Sequence, residues 1–400
     1  MTRGAVPYDV IVIGGGVIGC AAAYYLSRKK LKTLVVERAD QAAGSAGATD
    51  GVVGYHTKKP GVHMEFAILS ISMFPSLSAE LDADVEYDAK CGGMLLIENE
   101  AQWGVMEELA SEQRAGGIDI RMIGVRQARE LEPQLSPRLR GALYSPDGGK
   151  VNPMKLTFAY AAAAKRAGAV FLNGTAVCGI IKNSGGIIGI KTAAGDYICD
   201  NIIIAAGSWS AAVGEMAGID LPIRPRKGQL IVTEPIGPFI RATMQCAGYY
   251  MVKNKPDSVT DEYTLRTGAS FGIAQSADGA VLIGSTRELA GYDAENTLES
   301  FEAILRRSAD FFPALSKVHA IRSFAGFRPY APDGLPMIGA AGAVRGLYIA
   351  AGHEGDGIAL APATGKLISE AIADGAPSFS LDAFDPNRFS RVPRLADTWR

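Results

Sequence analysis

The residues with the clearest chemical meaning are three glycines and one acid near the start of the chain. Gly14, Gly16 and Gly19 have the GxGxxG spacing, follow a β-branched run and precede an alanine-rich stretch. Such glycines allow a tight turn, close approach of a pyrophosphate and close packing of a helix on a strand. Glu37 ends the next apolar run, where an acid accepts hydrogen bonds from ribose hydroxyls. The pattern predicts a dinucleotide-binding βαβ unit.

Three further segments put small residues where a flat cofactor could approach the backbone. The first, Gly44 to Val53, is a loop rich in glycine and alanine. The second, 202–210, and the third, 347–357, each place glycines directly after an apolar strand. A helix predicted over 358–372 would turn its positive end toward the N1–C2=O edge of a flavin. These segments favour FAD over NAD.

With these motifs the chain resembles the D-amino-acid-oxidase/glycine-oxidase family of FAD-dependent oxidoreductases. The resemblance covers nearly the whole chain and rests on the GxGxxG motif with Glu37, the GS-x-G loop at Gly44, AAGSWS at Ala205, FRPYAPDGLPMIG at Phe327 and GHEGDGIALAPATG at Gly352. A nearer similarity, to flavoprotein subunits of the sarcosine-oxidase-β, hydroxyproline- or proline-dehydrogenase, opine-dehydrogenase and cyanide-synthase type, lies in CGGMLLIENE, SPDGGKVNPMKL and RPRKGQLIVTEP.

The resemblance implies an α/β fold, a Rossmann-like FAD/NAD(P)-binding domain interleaved with an α+β substrate domain that contains a mostly antiparallel sheet. The length of 400 residues supports two domains. The predicted FAD-binding domain comprises 1–84, 148–223 and 324–386, the substrate-binding domain comprises 85–147 and 224–323, and 387–400 form a C-terminal tail. Local patterns predict a hairpin through Asn183–Gly186 and a helix over Leu298–Phe311.

The implied reaction is oxidation of the C–N bond of a small amino acid or secondary amine, of the D-amino acid, proline, hydroxyproline, sarcosine or opine type. Hydride passes from Cα to flavin N5 and leaves an imine, so the cofactor carries the difficult step and no strong side-chain base is required. The nearer similarity favours a dehydrogenase subunit that passes electrons to a partner electron-transfer subunit. Two alternatives are a stand-alone, oxygen-using glycine or D-amino-acid oxidase and a non-redox scaffold of related architecture.

By the same resemblance, four side chains are candidates for contact with the substrate. Arg328, in the FRP segment, is expected to hold the substrate carboxylate as a bidentate clamp, with a structural ion pair as the alternative. Tyr249 and Tyr250 lie where related proteins present hydroxyls to substrate; the alternative is ordinary amphipathic strand residues. His56 follows the flavin loop and is expected to line the pocket.

The predicted cofactor contacts come from the glycine-rich segments, together with Val177 and Arg328. They are Gly14, Gly16, Val17, Ile18, Gly19, Glu37, Arg38, Gly44, Ser45, Ala48, Thr49, Gly51, Val52, Val177, Ala206, Gly207, Trp209, Arg328, Gly352, His353, Gly355, Gly357 and Ile358. FAD is expected to be non-covalent, because Gly326 stands where covalently flavinylated relatives have a cysteine. His353 is expected to contact the flavin ring rather than to transfer protons.

Two further positions depart from the pattern of relatives. Asp356 stands where glycine oxidases present a basic residue, which argues against glycine itself as the substrate. The strand around Leu282 has no lysine of the kind that some oxygen-reactive relatives use. That difference favours the dehydrogenase over the oxidase.

Composition and charge argue against other classes of partner. The net charge of −2 offers nucleic acid no special attraction. Five widely spaced cysteines form no CxxC and no Cys/His metal-ligand spacing, so no metal site is expected. The apolar run Val10–Leu26 is interrupted by the motif glycines and lacks a basic n-region and a cleavage site. Neither a signal peptide nor a transmembrane segment is therefore predicted, and a cytoplasmic location is expected.

Overall fold

The computed structural model describes residues 7–255, 257 and 262–389. Of the predicted tail, residues 390–400 lie outside the described residues. Contacts divide the chain into two compact units. The first contains the chain up to Gly47, Thr157–Pro225 and the chain from Arg328, and the second contains Ala48–Leu156 and Arg226–Phe327. Compared with the predicted domains, the main difference is that 48–84 and 148–156 group with the second unit.

Eighteen strands form within the described residues. They are β1 Tyr8–Ile13, β2 Thr33–Val36, β3 Val52–Val53, β4 Gly93–Ile97, β5 Arg121–Gly124, β6 Gly141–Ser145, β7 Gly149–Lys150, β8 Val170–Leu172, β9 Val177–Asn183, β10 Gly186–Thr192, β11 Gly195–Ile204, β12 Arg224–Thr233, β13 Thr243–Cys246, β14 Gly272–Gln275, β15 Val281–Gly284, β16 Ala320–Tyr330, β17 Met337–Ala340 and β18 Leu347–Ala351.

The same part of the chain forms eleven α-helices. They are α1 Val17–Arg28, α2 Val62–Ile71, α3 Phe74–Glu80, α4 Glu100–Ala115, α5 Val125–Leu131, α6 Pro153–Arg166, α7 Ser210–Ala217, α8 Ala247–Asn254, α9 Glu262–Thr267, α10 Leu298–Phe311 and α11 Gly357–Ala373. Short 3₁₀ turns at Gly207–Trp209 and Glu354–Asp356 precede α7 and α11. The predicted hairpin, β9–β10, and the predicted helix α10 are confirmed.

The first unit is built on a mostly parallel sheet with strand order β17-β18-β11-β1-β2-β8. β1 pairs in parallel with β2 and with β11, β11 with β18, and β2 with β8, while β17 is antiparallel to β18. The hairpin β9–β10 adds to β11 in antiparallel pairing. Because strands far apart in sequence lie side by side, this sheet has the doubly wound arrangement of a Rossmann-like fold.

Small residues let two helices of the first unit approach closely. A side chain at Gly365 of α11 would have its Cβ only 2.7 Å from the carbonyl carbon of Ala21 in α1. Residues of β1 and β2 are almost entirely buried, as expected for parallel strands that are covered on both faces. The alanine-rich composition of α1 and the β-branched composition of its flanking strands therefore follow from packing.

The second unit contains a mostly antiparallel sheet with strand order β16-β12-β15-β14-β13-β4-β6-β5. The pairs β12–β15, β15–β14, β14–β13, β4–β6 and β6–β5 are antiparallel, and β13–β4 is parallel. Its core includes Phe271 and Phe311, whose rings stack with centroids 4.5 Å apart. The predicted fold class is confirmed: an α/β unit with a parallel sheet and a second, α+β unit.

One helical segment of the described chain, Val62–Glu80, is long and apolar enough to cross a bilayer by length and composition. It comprises α2 and α3, and 44% of its apolar window is buried within the protein. The core helix of a globular protein meets the same criterion, so this segment is weak evidence for a membrane span.

Candidate functional site

The carboxyl ends of four parallel strands meet at one edge of the first sheet. Ile13 at the end of β1 is in register with Val36 of β2 and with Ile204 of β11, and Ile204 is in register with Ile349 of β18. Each of the four strands is followed directly by one of the segments predicted to contact a cofactor. In open α/β sheets ligands bind in the crevice at this edge, so the fold brings these segments together.

The three motif glycines have different physical reasons for lacking a side chain. Gly14 has a φ of +117°, and a Cβ there would lie 2.4 Å from the Ala205 carbonyl oxygen. A Cβ on Gly19 would lie 2.0 Å from the Gly14 carbonyl oxygen. At Gly16, by contrast, no atom of the described residues lies within 4 Å of the Cβ position. Gly14 and Gly19 are thus required for packing, whereas Gly16 faces open space.

The N-terminus of α1 is directed by this turn. Gly16 is its N-cap residue with extended backbone and no side chain that could cap it, and Val17 and Ile18 are the first helical residues. The first backbone N–H groups of a helix lack partners within the helix and carry a partial positive charge. This helix end is therefore suited to an anionic group such as a pyrophosphate.

Glu37 is held by the backbone of both flanking segments. Its Oε2 accepts a hydrogen bond from the Gly15 N–H at 2.7 Å, and its Oε1 accepts one from the Ala39 N–H at 2.9 Å. The carboxylate is half-buried. Each carboxylate oxygen can accept a second hydrogen bond, so Glu37 both fixes the glycine turn and offers acceptors of the kind that ribose hydroxyls require.

Trp209, in the turn after β11, lies next to residues of the segment that follows β2. The Arg38 guanidinium lies over its ring, with Cζ 3.9 Å from the centroid. A Cβ on Gly44 would be 3.5 Å from the Trp209 ring, and one on Gly207 would be 4.0 Å from the Ser45 hydroxyl. Ala206 lies just before this turn, and Val177 begins β9 at the margin of the unit's core.

The last segment, 352–358, contains the turn before α11 and the first two residues of that helix. Gly352 has a φ of +81°. The buried His353 places its Nε2 3.0 Å from the Thr364 hydroxyl of α11. A β-bridge joins His353 to Tyr330, two residues beyond Arg328, so the strand end that carries the half-buried Arg328 runs beside the glycine turn. Gly355 and Asp356 lie in this turn, and Gly357 and the buried Ile358 begin α11.

This edge fits a dinucleotide. The open space at Gly16 leaves room for a pyrophosphate, and the α1 N-terminus supplies hydrogen-bond donors to it. The Glu37 carboxylate supplies acceptors for a ribose. No group of three or more His, Cys, Asp or Glu side chains in the described chain is placed to hold a metal ion.

The loop predicted to contact the flavin lies in the second unit. A Cβ on Gly51, which has a φ of +76°, would lie 2.1 Å from the Val151 carbonyl oxygen, and Val52 pairs with Lys150. Ala48 and Thr49 precede it. The Ala48 Cβ lies 2.7 Å from the Cβ position of Gly326. Any larger residue at 326, a cysteine included, would collide with Ala48.

His56 is fully buried in the second unit and packed rather than open. Its Nε2 lies 2.7 Å from Oε1 of Gln245, and Cβ positions on Gly93 and Gly54 would be 2.2 and 2.9 Å from its Nδ1. Burial lowers the pKa of His56 to about 4. At neutral pH the ring is therefore uncharged.

Tyr249 and Tyr250 lie on helix α8 rather than on a strand. Tyr250 belongs to an apolar cluster with Leu95 and Met106, and burial raises the pKa of its hydroxyl to about 12. Tyr249 is half-buried, and its hydroxyl accepts a hydrogen bond from Nη2 of Arg287 at 2.8 Å. No sequence pattern indicates a role for Arg287, since no motif contains it and its contact with Tyr249 joins segments distant in sequence.

Comparison with known proteins identifies relatives along the whole chain. The family described as FAD dependent oxidoreductase (DAO) matches residues 9–371. A glycine oxidase of Geobacillus kaustophilus is 28% identical over 389 residues, 95% of this chain and 97% of the relative. The hydrogen cyanide synthase subunit HcnC of Pseudomonas aeruginosa is 28% identical over 96% of this chain and 97% of its own. The crystal structure of an L-proline dehydrogenase from P. horikoshii has a TM-score of 0.85 at 26% identity, covering 96% of this chain and 98% of that one.

Proposed function

This chain belongs to the FAD-dependent oxidoreductase (DAO) family, and we propose that it oxidises the C–N bond of a small amino acid or secondary amine to an imine. D-amino acids, proline, hydroxyproline, sarcosine and opines are the candidate substrates. The observation that carries the proposal is the strand edge at which Gly16, the α1 N-terminus and Glu37 form a dinucleotide cradle. Family membership favours this enzyme over a non-redox scaffold.

Bound FAD would supply the redox chemistry, as the acceptor of a hydride from the substrate Cα. We propose that the α1 N-terminus holds the pyrophosphate and that Glu37 holds a ribose. The predicted contacts from Gly44 to Val52, at Val177, at Ala206–Trp209 and at 352–358 would complete the cofactor site. We propose non-covalent binding, which the crowding of Ala48 against Gly326 supports because it leaves no room for a cysteine there.

For the substrate, we propose that Arg328 binds the carboxylate through the bidentate fork of its guanidinium. The clamp would hold the Cα–H in one orientation, and the lone pair of the neutral amine would assist departure of the hydride. Tyr249 remains a proposed substrate contact. For His56 and Tyr250, complete or nearly complete burial favours packing roles over direct contact.

We further propose that the chain is the flavoprotein subunit of a dehydrogenase, passing electrons to a partner subunit. One relative is itself named as a subunit and one solved structure is a dehydrogenase, and β15, around Leu282, contains no lysine. The alternative is a stand-alone oxidase, favoured by the similarity to a glycine oxidase. Asp356, where glycine oxidases present a basic residue, argues against glycine as the substrate.

The experiment is anaerobic mixing of the purified yellow holoprotein with D-alanine, L- and D-proline, hydroxyproline, sarcosine and an opine. At least one amine should bleach the oxidised flavin band within a single turnover. The reduced protein is then mixed with oxygenated buffer or with an artificial dye. Slow reoxidation by oxygen and fast reoxidation by dye are expected of the dehydrogenase, whereas oxygen reacting as fast as the amine would establish the oxidase.

A further inference from the structure

The last described segment of the chain runs across strand β17 and contacts the first unit at both ends of that strand. This segment, Pro386–Phe389, is a short 3₁₀ turn. At one end of β17, Asn387 donates from Nδ2 to the Ala340 carbonyl oxygen and accepts from the Gly342 N–H, both at 3.0 Å. At the other end, Arg388 contacts the turn that precedes the strand. This part of the predicted C-terminal tail is therefore packed against the first unit.

Arg388 holds that turn, residues 331–336, with both edges of its guanidinium fork. Its Nε donates to Oδ2 of Asp333 at 2.7 Å. Its Nη2 donates to Oδ1 of Asp333 at 3.1 Å and to the Leu335 carbonyl oxygen at 2.9 Å. The side chains of Arg388 and Asp333 are only 17% and 34% exposed. Because a bidentate pair fixes direction as well as distance, the turn is held in one place relative to the segment 386–389.

The turn that Arg388 holds lies at the edge of the first sheet that forms the candidate site. Strand β17 is antiparallel to β18, and Met337 at its start is in register with Ala351 at the end of β18. Gly352 follows directly, and a Cβ there would lie 3.4 Å from the Cβ of the buried Ala331. The contact of Asn387 lies at the opposite end of the strand, ~10 Å away. Only the Arg388 contact is therefore made at the site's edge of β17.

The chain between this turn and Arg328 is stiff. Pro329 and Pro332 fix two of the four φ angles that separate Arg328 from the paired carboxylate. Tyr330, between the two prolines, is joined to His353 by a β-bridge. A displacement of the turn would therefore shift the strand end that carries Arg328, because no flexible linker lies between them to absorb the movement.

We propose that Arg388 is a positioning residue for Arg328. Its ion pair with Asp333 keeps the strand end in the orientation in which Arg328 binds the substrate carboxylate. The inference rests on the proposed function, in which Arg328 makes that contact. Arg388 acts through the turn and not by touching the substrate, so its loss should lower activity only while the Arg328 guanidinium is present.

The test is a double-mutant cycle on the holoprotein, with Arg388→Met measured alone and in the Arg328→Ala background. The quantity measured is the catalytic efficiency of anaerobic flavin reduction by the amine that bleaches the wild type. Arg388→Met alone should lower this efficiency about tenfold, because a small misplacement of a binding group is costly. In the Arg328→Ala background it should change the efficiency by no more than about twofold, since the group that it positions is gone. A merely structural residue would lower the efficiency by the same factor in both backgrounds.

Asn387→Ala is the matched control, because it removes hydrogen bonds of the same segment at the far end of β17. It should lower the melting temperature, as Arg388→Met does, but leave the efficiency at the wild-type value. Arg388→Lys keeps the charge without the fork and should give an efficiency between those of Arg388→Met and the wild type. If Arg388→Met does not fold, Asp333→Asn decides, since it keeps an acceptor for the Leu335 N–H and should show the same dependence on Arg328.

A second measurement does not depend on turnover. Acetate has a carboxylate but no C–N bond, and its binding to the oxidised holoprotein is followed through the visible flavin spectrum. The dissociation constant of acetate should rise about tenfold in Arg388→Met, because the charge-assisted contact with Arg328 is misaligned. It should stay at the wild-type value in Asn387→Ala.

Three results would overturn the positioning role while leaving amine oxidation intact. They are wild-type efficiency in Arg388→Met, an equal loss in both backgrounds, and a loss in Asn387→Ala as large as that in Arg388→Met. If no amine bleaches the flavin, the proposed function fails, and the acetate titration alone judges Arg388. In that case, a wild type that does not bind acetate, or an unchanged dissociation constant in Arg388→Met, would overturn the positioning role as well.

Discussion

The strand edge of the first unit presents its chemistry through the backbone, whereas the polar residues of the second unit present theirs through contacts between side chains. At the edge, Gly14, Gly16, Gly19 and Glu37 act through backbone geometry: tight contacts, an open helix end and hydrogen bonds to N–H groups. In the second unit, the proposed roles depend on which side chains meet. Tyr249 meets Arg287, and His56 meets Gln245.

A local sequence pattern can reveal backbone-based chemistry but not chemistry that depends on contacts between distant side chains. A glycine turn between a strand and a helix needs the same residues wherever it occurs, so spacing alone predicts its role. A buried histidine or tyrosine is defined by its neighbours, and these come from segments distant in sequence. A single substitution of a glycine in the turn should therefore have a large effect on folding or FAD binding. A single substitution of a buried side chain in the second unit should have a smaller effect.

The largest effects are expected from two valine substitutions in the glycine turn. Gly19→Val should prevent folding, because its Cβ would lie 2.0 Å from the Gly14 carbonyl oxygen. Gly16→Val should fold but purify largely without FAD, because its side chain would fill the open space proposed for the pyrophosphate. Circular dichroism and the flavin-to-protein absorbance ratio measure the two outcomes. Gly104→Val, at another helix position with no atom of the described chain within 4 Å, is the control. Full FAD occupancy in Gly16→Val would refute the cradle.

A large effect on catalysis is expected from Arg328→Ala. Loss of the proposed carboxylate clamp should leave FAD bound but lower catalytic efficiency by ~10²-fold or more. Arg328→Lys should recover little, because a point charge does not reproduce the planar fork. Arg322→Ala, on the same strand and stacked on Phe324, removes an equal charge and serves as the control. Flavin reduction at the wild-type rate in Arg328→Ala would show that the residue is structural.

In the second unit, two buried groups should give opposite dependences of stability on pH. Burial lowers the pKa of His56 to about 4, so its contribution to stability is lost as pH falls from 6.5 toward 4. Burial raises the pKa of Glu132 to about 7 from 4.5, so its contribution is lost as pH rises through that window. Each amounts to roughly 3 kcal/mol, and the two nearly cancel between pH 4.5 and 6.5.

Replacing one of the two groups should therefore reveal the pH dependence of stability that the other group contributes. In His56→Gln the melting temperature should fall as pH rises from 4.5 to 6.5, and in Glu132→Gln it should rise over the same range. The wild type should be flatter than either. Thermal melts across this range measure all three proteins, and parallel curves would mean that neither group titrates as its burial implies.

How far the sequence could predict the molecule follows from the same contrast. The hairpin through Asn183–Gly186 and the helix Leu298–Phe311 were predicted because local patterns specify them, whereas the α/β fold was implied by the family resemblance. The grouping of 48–84 with the second unit depends on long-range packing that no local pattern encodes. Arg287 lies in an ordinary loop sequence, and its contact with Tyr249 is made across the fold.

The smallest effect is expected from Glu37→Ala. The loss of acceptors for a ribose and for the Gly15 N–H should weaken FAD binding by about 1–3 kcal/mol, since one hydrogen-bonding group is removed. Titration of apoprotein with FAD measures the change. Asp40→Ala removes an exposed carboxylate nearby and should leave the affinity unchanged. Equal affinities for Glu37→Ala and wild type would remove Glu37 from the cofactor site.

Oxidation of the C–N bond of an amine by this chain can be measured through the product stoichiometry of one anaerobic turnover. The holoprotein is mixed with the amine that bleaches its flavin, and the carbonyl compound and released amine or ammonia are quantified after quenching, which hydrolyses the imine. One carbonyl compound and one released amine or ammonia are expected for each flavin reduced, except that a cyclic imine would give a single amino-carbonyl product. Flavin reduction that yields neither product would contradict C–N bond oxidation. So would an oxidised product in which the C–N bond of the substrate is still intact as an amine.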